Sequence, residues 1–268
     1  MDGGYPRSEV LQSIRASGWD EQIALAALNA GLSTTLTPLA LMPAGTATAL
    51  LKVPDLRSPA TGSYVQAADR QILVLMRMTS PRIVLFGGLM SDDECDELIN
   101  LARARLARSE TVQLETGAGE VNEARTSQGM FFERGQHPLC ARLEARIAAL
   151  LAWPVENGEG LQVLRYGPGA EYKPHYDYFD PAEASTPSLL QRGGQRVASL
   201  ICYLNTPASG GATVFPEAEL EVAPIKGNAV FFSYDRPHPQ SRSLHGGAPV
   251  LEGDKWIATK WLREGRFV

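Results

Sequence analysis

A histidine and an aspartate stand two positions apart at His175 and Asp177, in a stretch whose residue types favour a β-strand. Successive side chains of a strand point to opposite faces, so residues two apart lie on the same face. One imidazole and one carboxylate can therefore converge on one metal ion, and a third protein ligand is needed to hold it there. The chain has only four histidines, of which His245 or His238 could supply this ligand.

Two histidines and one carboxylate on one face of an octahedron form the facial triad of non-haem Fe(II) oxygenases, which leaves three coordination positions open. Zinc hydrolases also use two histidines with a carboxylate, so the ligand types alone leave the metal undecided. His238 lies between two prolines in the segment RPHPQ, which is typical of a loop. We therefore expect His245 to be the third ligand.

Downstream, the sequence predicts a strand that ends at His245, a turn, and a second strand that carries Lys255 and Trp261. This pattern resembles the carboxy-terminal signature of the prolyl 4-hydroxylase family of Fe(II)- and 2-oxoglutarate-dependent dioxygenases. In that family a lysine ten positions beyond the distal histidine binds the far carboxylate of 2-oxoglutarate, and Lys255 stands at that offset. The resemblance implies Fe(II) at the two histidines and Asp177, with O2 as the oxidant.

Two further motifs of the family indicate contacts with the co-substrate. The spacing from Tyr166 to Tyr172 and on to the His-x-Asp pair fits the family pattern, which implies that Tyr166 reaches 2-oxoglutarate. The segment GGATVFP resembles a family element that places Thr213 near the same molecule.

The resemblance also assigns three substrate contacts. Tyr172 is expected to border the substrate, Arg196 of the GGQR segment to line the substrate groove, and Trp261 to stand in the wall of the active site. The segment 180–191, which contains two prolines, is expected to be a loop that covers the substrate.

The implied reaction is hydroxylation of an unactivated C–H bond, with release of succinate and CO2, and ascorbate is a further candidate cofactor. The first hypothesis for the substrate is a prolyl residue in a peptide or protein, and the second is a free amino acid such as proline or pipecolate. A groove open at both ends favours the first, whereas a closed pocket in which Arg196 faces a free carboxylate favours the second. A third hypothesis is a non-catalytic metal-binding interaction module, which the intact ligand set and Lys255 weigh against.

These side chains need a rigid scaffold, and the sequence predicts one. Short segments between residues 161 and 262 are rich in β-branched and aromatic residues and are separated by Gly or Pro turns, which is typical of strands. Ser91 and Glu94 form a capping box before a helical apolar stripe, and a second stripe starts at Pro138. We expect an α+β fold in which a double-stranded β-helix, or jelly roll, spans residues 76–268 and is covered by helices.

The remaining sequence predicts two smaller parts. Residues 1–32 contain two short amphipathic stripes, which predict a helical hairpin that docks on the core or binds a partner. Residues 33–75 are poor in charge and rich in Pro, Gly, Ser and Thr up to about residue 69, which predicts an irregular linker.

Composition excludes several classes of protein. A net charge of −5 argues against binding to nucleic acid, because that affinity depends on accumulated Lys and Arg. The longest apolar stretch, 36–51, is interrupted by two prolines and is shorter than a membrane-spanning helix, so no membrane contact is expected. The three cysteines are widely separated, which favours a reducing compartment, and we expect a cytoplasmic location.

Overall fold

The structure is a computed structural model that describes residues 50–56, 63–108, 111–112, 119–120 and 126–268. The predicted hairpin at residues 1–32 lies outside these residues and stays a prediction. Strand Tyr64–Gln66 lies within the range 33–75 that was predicted as a linker, and its partner Gln71–Thr79 begins in that range. The sheet therefore begins earlier than the sequence predicts. Val65 and Ile72, which are opposite partners in this pair, are both buried and so fix the two strands to the core.

Within the described residues the helices and strands have the following bounds. The α-helices are α1 (Asp92–Arg103), α2 (Pro138–Leu151) and α3 (Thr186–Leu190). Short 3-10 helices lie at Val155–Asn157, Pro216–Ala218 and Pro239–Ser241. The strands are β1 (Tyr64–Gln66), β2 (Gln71–Thr79), β3 (Arg82–Gly87), β4 (Ala107–Arg108), β5 (Thr111–Val112), β6 (Gly119–Glu120), β7 (Gln128–Phe132), β8 (Gly158–Tyr166), β9 (Tyr172–His175), β10 (Arg196–Tyr203), β11 (Ser209–Gly210), β12 (Thr213–Phe215), β13 (Leu220–Val222), β14 (Ala229–Ser233), β15 (His245–Gly247), β16 (Val250–Glu252) and β17 (Lys255–Arg263).

The strands form a large sheet, a smaller one and two isolated pairs. The large sheet has nine strands in the order β1-β2-β3-β14-β10-β17-β8-β7-β4, and the smaller has four in the order β13-β12-β15-β9. The pairs are β11-β16 and β5-β6. Neighbouring strands run antiparallel throughout, with β9 and β15 side by side in the smaller sheet.

The two long helices begin where the sequence predicts. The Ser91 side chain accepts a hydrogen bond from the backbone of Glu94, whose side chain in turn accepts from the backbone of Ser91, so the capping box of α1 is present. At α2, His137 Nδ1 accepts from the backbone N–H of Leu139, and Pro138 occupies the first turn. His137 therefore serves as a helix cap.

Alternation along β10 separates two hydrophobic cores. Leu200 and Cys202 belong to the core that contains the buried faces of α1 and α2, whereas Ile201 and Tyr203 belong to a second core. The second core also contains Phe215 of the smaller sheet, so it lies between the two sheets. This arrangement of two antiparallel sheets, with helices on the outer face of the larger one, confirms the predicted jelly roll.

Two predicted elements are different in the structure. The strand predicted to end at His245 is absent, because Pro237 and Pro239 lack backbone donors and the chain instead forms the 3-10 helix Pro239–Ser241. His245 consequently begins strand β15 and does not end one. The expected loop 180–191 contains the short helix α3. No described helix has both the length and the apolar character to span a bilayer.

Candidate metal centre

His175, Asp177 and His245 form the one cluster of three metal-binding side chains found among the described residues. Their ligand atoms lie within 4.8 Å of one another. The Nε2 atoms of His175 and His245 each lie 3.5 Å from a different carboxylate oxygen of Asp177. The two histidines are opposite partners on β9 and β15, so the antiparallel pair brings together residues that are far apart in the sequence.

Hydrogen bonds fix the orientation of both imidazoles. His175 Nδ1 lies 2.9 Å from the carbonyl oxygen of Lys173, and His245 Nδ1 lies 3.0 Å from that of Ser243. A carbonyl only accepts, so each Nδ1 carries the proton and each Nε2 offers a lone pair. A metal-binding histidine commonly bonds a carbonyl through its other ring nitrogen in this way.

The charges of the cluster also suit a metal. Burial lowers the pKa of His245 to about 4, although the Asp177 carboxylate opposes this shift. Burial raises the pKa of Asp177, but His245, His175 and Arg196 outweigh it and the net pKa lies below its usual range. A neutral imidazole at position 245 and an ionised carboxylate are the forms that bind Fe(II), so the residues present fit the metal.

Asp177 reaches the cluster by a different route from the one predicted. Strand β9 ends at His175, so the aspartate does not share a strand face with the histidine. Its carboxylate instead accepts a hydrogen bond of 2.5 Å from the hydroxyl of Ser199 on β10. The loop that follows is tied to the residue just before the same strand, since the backbone N–H of Phe179 donates to the side chain of Gln195.

Beside the cluster lies a pocket with an unpaired positive charge. The alternate residues Lys255, Ile257, Thr259 and Trp261 of β17 all line it, as expected for one face of a strand. Lys255 is 3% exposed, and within the described part of the chain no carboxylate pairs with its ammonium group. Burial lowers its pKa to about 8. A buried ammonium without an acidic partner is costly unless an anion binds to it, which fits the carboxylate of 2-oxoglutarate.

The other predicted co-substrate contacts line the same pocket. Tyr166 is the register partner of Lys255, whose ammonium lies 5.5 Å from its ring centroid. Thr213 Oγ1 accepts a hydrogen bond of 2.8 Å from the Tyr203 hydroxyl, which leaves the threonine proton free for a bound carboxylate. A Cβ added at Gly247 would lie 3.7 Å from Lys255 Nζ, so the glycine keeps space open beside the lysine.

A larger groove of about 560 Å³ adjoins the cluster, and Tyr172, Arg196 and Trp261 line it as predicted. The structure places the tyrosine ring on His175, with centroids 3.7 Å apart. Trp261 lines both the groove and the lysine pocket, and its Nε1 is buried without a hydrogen-bond partner in the described residues. The other lining residues are Phe131, Gln162, His175, Tyr176, Asp177, Tyr178, Phe179, Asp180, Glu183, Ser185, Thr186, Leu189, Pro237, His238 and Pro239.

Arg196 is not free in this groove. Its Nε and Nη2 atoms lie 2.7 and 3.0 Å from the two carboxylate oxygens of Glu159, and its guanidinium stacks 4.1 Å from the ring of Trp261. Arg263 also contacts Glu159, with its Nε 2.7 Å from the same carboxylate. The buried Glu159 thus holds the arginine that the sequence assigned to the substrate, and it shares its carboxylate between Arg196 and Arg263.

Several residues of the site were missed by sequence reasoning. Thr259 could have been found, because it stands midway in the alternation from Lys255 to Trp261. Glu159 and Ser199 carried no such signal, since their partners Arg196 and Asp177 are distant from them in the sequence. His238, the alternative metal ligand, lies in the groove wall and accepts from the backbone of Gln240 through Nδ1.

A jelly roll that carries two histidines and an aspartate beside a buried lysine with no described acidic partner defines an Fe(II)- and 2-oxoglutarate-dependent oxygenase. Residues 161–263 match the family model of the 2OG-Fe(II) oxygenase superfamily. Prolyl 4-hydroxylase 1 of Arabidopsis thaliana is 44% identical over 202 residues, which cover 69% of this chain and 70% of that protein. Prolyl 4-hydroxylase 2 of the same plant is 38% identical over 212 residues, which cover 70% of this chain and 69% of that protein. The chain therefore belongs to the prolyl 4-hydroxylase family.

A solved structure agrees with this assignment. The 2OG complex of the viral collagen prolyl hydroxylase from Paramecium bursaria Chlorella virus-1 is 31% identical, with a TM-score of 0.53. The match covers 68% of this chain and 95% of the viral one. The family uses Fe(II), 2-oxoglutarate and O2, and the donor set and the lysine pocket described above fit all three.

Proposed function

We propose that this chain hydroxylates prolyl residues within a peptide or protein. The reaction is inferred from that of its relatives, which are prolyl hydroxylases by name. The preference for a peptide over a free amino acid is argued from the groove. The observation that carries the choice is the pairing of Arg196 with Glu159. A site for a free amino acid needs a cation for the substrate carboxylate, and this cation already has an acidic partner.

The remaining groups of the groove support the same choice. Among the described residues that line it, Arg196 is the only arginine and no lysine is present. Aromatic side chains of Phe131, Tyr176 and Tyr178 add apolar surface, and amphipathic rings of this kind suit the extended backbone of a proline-containing segment. A peptide has no α-carboxylate beside its internal proline, so it does not require an arginine without an acidic partner.

Each part of the site has a distinct task in this proposal. His175, Asp177 and His245 hold Fe(II), which together with 2-oxoglutarate and O2 supplies the oxidising power for C–H hydroxylation. Lys255 and Thr213 bind the far carboxylate of 2-oxoglutarate. The Trp261 ring separates this pocket from the groove and brings the substrate carbon towards the metal while excluding water.

An assay of both products tests the proposal. Purified protein is supplied with Fe(II), 2-oxoglutarate and either proline-containing peptides, free proline or free pipecolate. Succinate is quantified, and mass spectrometry detects the gain of one oxygen atom. We expect hydroxylated peptide in a one-to-one ratio with succinate and no product from the free amino acids. Hydroxylation of a free amino acid alone would overturn the choice of substrate.

The same assay separates an enzyme from a metal-binding module. The module hypothesis gives no reason for a buried, unpaired ammonium at Lys255, whereas an oxygenase needs one for its co-substrate. The Lys255→Ala variant provides the matched control, because it retains the three metal ligands. Succinate release by the parent protein but not by this variant supports the enzyme, and no turnover of any peptide by either protein would support the module.

Two further points belong to the proposal. We propose ascorbate as a reductant that supports turnover, which the assay checks by comparing rates with and without it. We also propose a cytoplasmic location, which is supported by the three free and buried cysteines Cys95, Cys140 and Cys202. Cell fractionation followed by immunoblotting tests the location, and recovery in a secreted fraction would contradict it.

A further inference from the structure

Asp177 is the one member of the metal cluster that no strand holds. His175 and His245 lie in paired strands of the four-stranded sheet, whereas Asp177 follows the end of β9. Its carboxylate can turn about a broad torsional minimum, because the terminal sp³–sp² bond of aspartate has no sharp rotamer. Something else must therefore set which oxygen faces the metal.

A chain of two hydroxyl groups performs this task from the opposite sheet. Ser199 Oγ on β10 lies 2.5 Å from Asp177 Oδ2 and 3.1 Å from the hydroxyl oxygen of Tyr234, which directly follows β14. Both residues are buried, with 0% and 1% exposure, and Asp177 is 7% exposed. No solvent competes for these hydrogen bonds, so they are stronger than at a surface.

The direction of the chain follows from the donors available. An ionised carboxylate only accepts, so the single proton of the Ser199 hydroxyl points to Asp177 Oδ2. With that proton used, the serine oxygen can only accept from Tyr234. The order is therefore Tyr234 to Ser199 to Asp177. The two histidines face the aspartate carboxylate through nitrogens that carry no proton, and Ser199 is the one described side chain whose hydroxyl donates to it.

We propose that Ser199 and Tyr234 are positioning residues that make Asp177 a one-oxygen ligand of the iron. Each carboxylate oxygen lies 3.5 Å from one histidine Nε2, Oδ1 from that of His175 and Oδ2 from that of His245. The two oxygens differ in that Ser199 donates to Oδ2, which leaves Oδ1 as the oxygen without a hydroxyl donor and available to the metal. A carboxylate that bound through both oxygens would occupy one of the three positions that a two-point co-substrate and O2 require. The hydroxyl chain also links the metal to the nine-stranded sheet, and so fixes the aspartate relative to the lysine pocket.

Metal binding without any substrate provides the first test. Co(II) replaces Fe(II), and its affinity is measured from the visible absorption that appears on binding. Residues that orient a metal ligand typically contribute about 10- to 100-fold in affinity, and we expect a loss of about this size in Ser199→Ala. Tyr234→Phe loses only the bond that orients the serine hydroxyl, for which about threefold is expected. Ser199→Thr keeps the hydroxyl and should restore most of the affinity.

The matched control is Ser233→Ala on β14. Ser233 is also buried, but its side chain has no hydrogen bond to any residue that the structure describes, and it is opposite Ala198 in the sheet. We expect unchanged Co(II) affinity in this variant. Thermal unfolding of the metal-free proteins shows whether each variant is folded. If Ser199→Ala unfolds at a lower temperature than the parent protein, the Co(II) affinity of Tyr234→Phe, which keeps the aromatic ring, is compared with that of the parent instead.

The second test compares binding of 2-oxoglutarate with the rate of succinate release. With Asp177 free to bind through both oxygens, Ser199→Ala should bind 2-oxoglutarate yet release succinate at least tenfold more slowly per bound co-substrate. Unchanged Co(II) affinity in Ser199→Ala, or an equal loss in Ser233→Ala, would overturn the inference. The Co(II) measurement uses no substrate, so its result is independent of whether prolyl peptides prove to be the substrate.

Discussion

His245 and His175 are opposite residues across the β9-β15 pair, and their ring centroids lie 4.4 Å apart. The distance between the two metal-binding nitrogens therefore depends on how closely these two backbones approach. Gly246 makes the approach possible, because a Cβ at this position would lie 2.8 Å from the carbonyl oxygen of Tyr172. That atom belongs to the backbone and cannot move aside as a flexible side chain would.

We predict that Gly246→Ala weakens metal binding. The added methyl must push β9 and β15 apart, and a shift of a few tenths of an ångström at each histidine should lower Co(II) affinity by about tenfold or more. Equilibrium titration with Co(II) measures this. The neighbouring variant Gly247→Ala is the control, since its Cβ meets only ordinary contacts of 3.7 Å or more. It should keep the metal affinity and weaken 2-oxoglutarate binding, because the methyl enters the space beside Lys255. Equal metal affinity in both variants would contradict the prediction.

A second prediction is that Lys255→Met stabilises the metal-free protein. Burial lowers the pKa of Lys255 from 10.5 to about 8, so holding the charged form at neutral pH costs roughly 3 kcal/mol. Methionine has a similar length without the charge, and we expect the free energy of unfolding to rise by about 1 to 3 kcal/mol. Urea denaturation at pH 7 without 2-oxoglutarate measures the difference. The variant should also lose co-substrate affinity by at least about 100-fold. A destabilised variant would show that an acidic partner compensates the lysine.

The third prediction concerns pH. Lys255 is charged below its pKa of about 8 and neutral above it, and only the charged form attracts the far carboxylate. The dissociation constant of 2-oxoglutarate should therefore be constant below about pH 7 and rise about tenfold per unit above pH 8. The folded pKa is lowered, so the same residue destabilises the unliganded protein at low pH, and this penalty fades as the pH rises through 8. Titration of the Co(II)-loaded protein at several pH values measures the affinity. Lys255→Met should have weak but pH-independent affinity, and a parallel rise in that variant would assign the effect to another group.

Much of the membership of this site could be predicted from short motifs, although the role of Lys255 came from the resemblance to the family and Asp177 does not share the strand face that the spacing indicated. The His-x-Asp pair, the distal histidine and the lysine ten residues later lie on few elements, and the structure brings all four side chains to one pocket. The capping box at Ser91 likewise fixes the start of α1 without reference to the rest of the fold. Such signals depend on short stretches of chain, which is why the sequence alone reveals them.

Contacts between distant strands could not be predicted in this way. Glu159 on β8 pairs with Arg196 on β10, although the two strands are separated by β17 in the sheet. Nothing near Arg196 in the sequence indicates that partner. The strand predicted to end at His245 was wrong for a local reason, because the prolines at 237 and 239 favour the 3-10 helix that forms there. Side-chain partners that arise only when strands assemble need the structure.

The last prediction concerns the outer face of β17, opposite the lysine pocket. Lys260 and Glu144 of α2 form a buried pair, with Nζ and Oε1 2.6 Å apart and each side chain 2% exposed. Lys260→Met leaves the Glu144 carboxylate buried without its cation, and we expect a loss of roughly 3 to 5 kcal/mol in the free energy of unfolding. The double variant Lys260→Met/Glu144→Gln removes both charges and should lose clearly less than the sum of the single variants.

Urea denaturation of the parent, the two single variants and the double variant gives the interaction energy of this pair. Succinate release, measured well below the unfolding transition, should be unchanged in all four proteins, because Lys260 lies on the helix side of the sheet while Lys255, Thr259 and Trp261 line the site. Strict additivity of the unfolding energies would show that the pair contributes no coupling. A loss of co-substrate affinity in Lys260→Met would show that the position of α2 affects the site across the sheet.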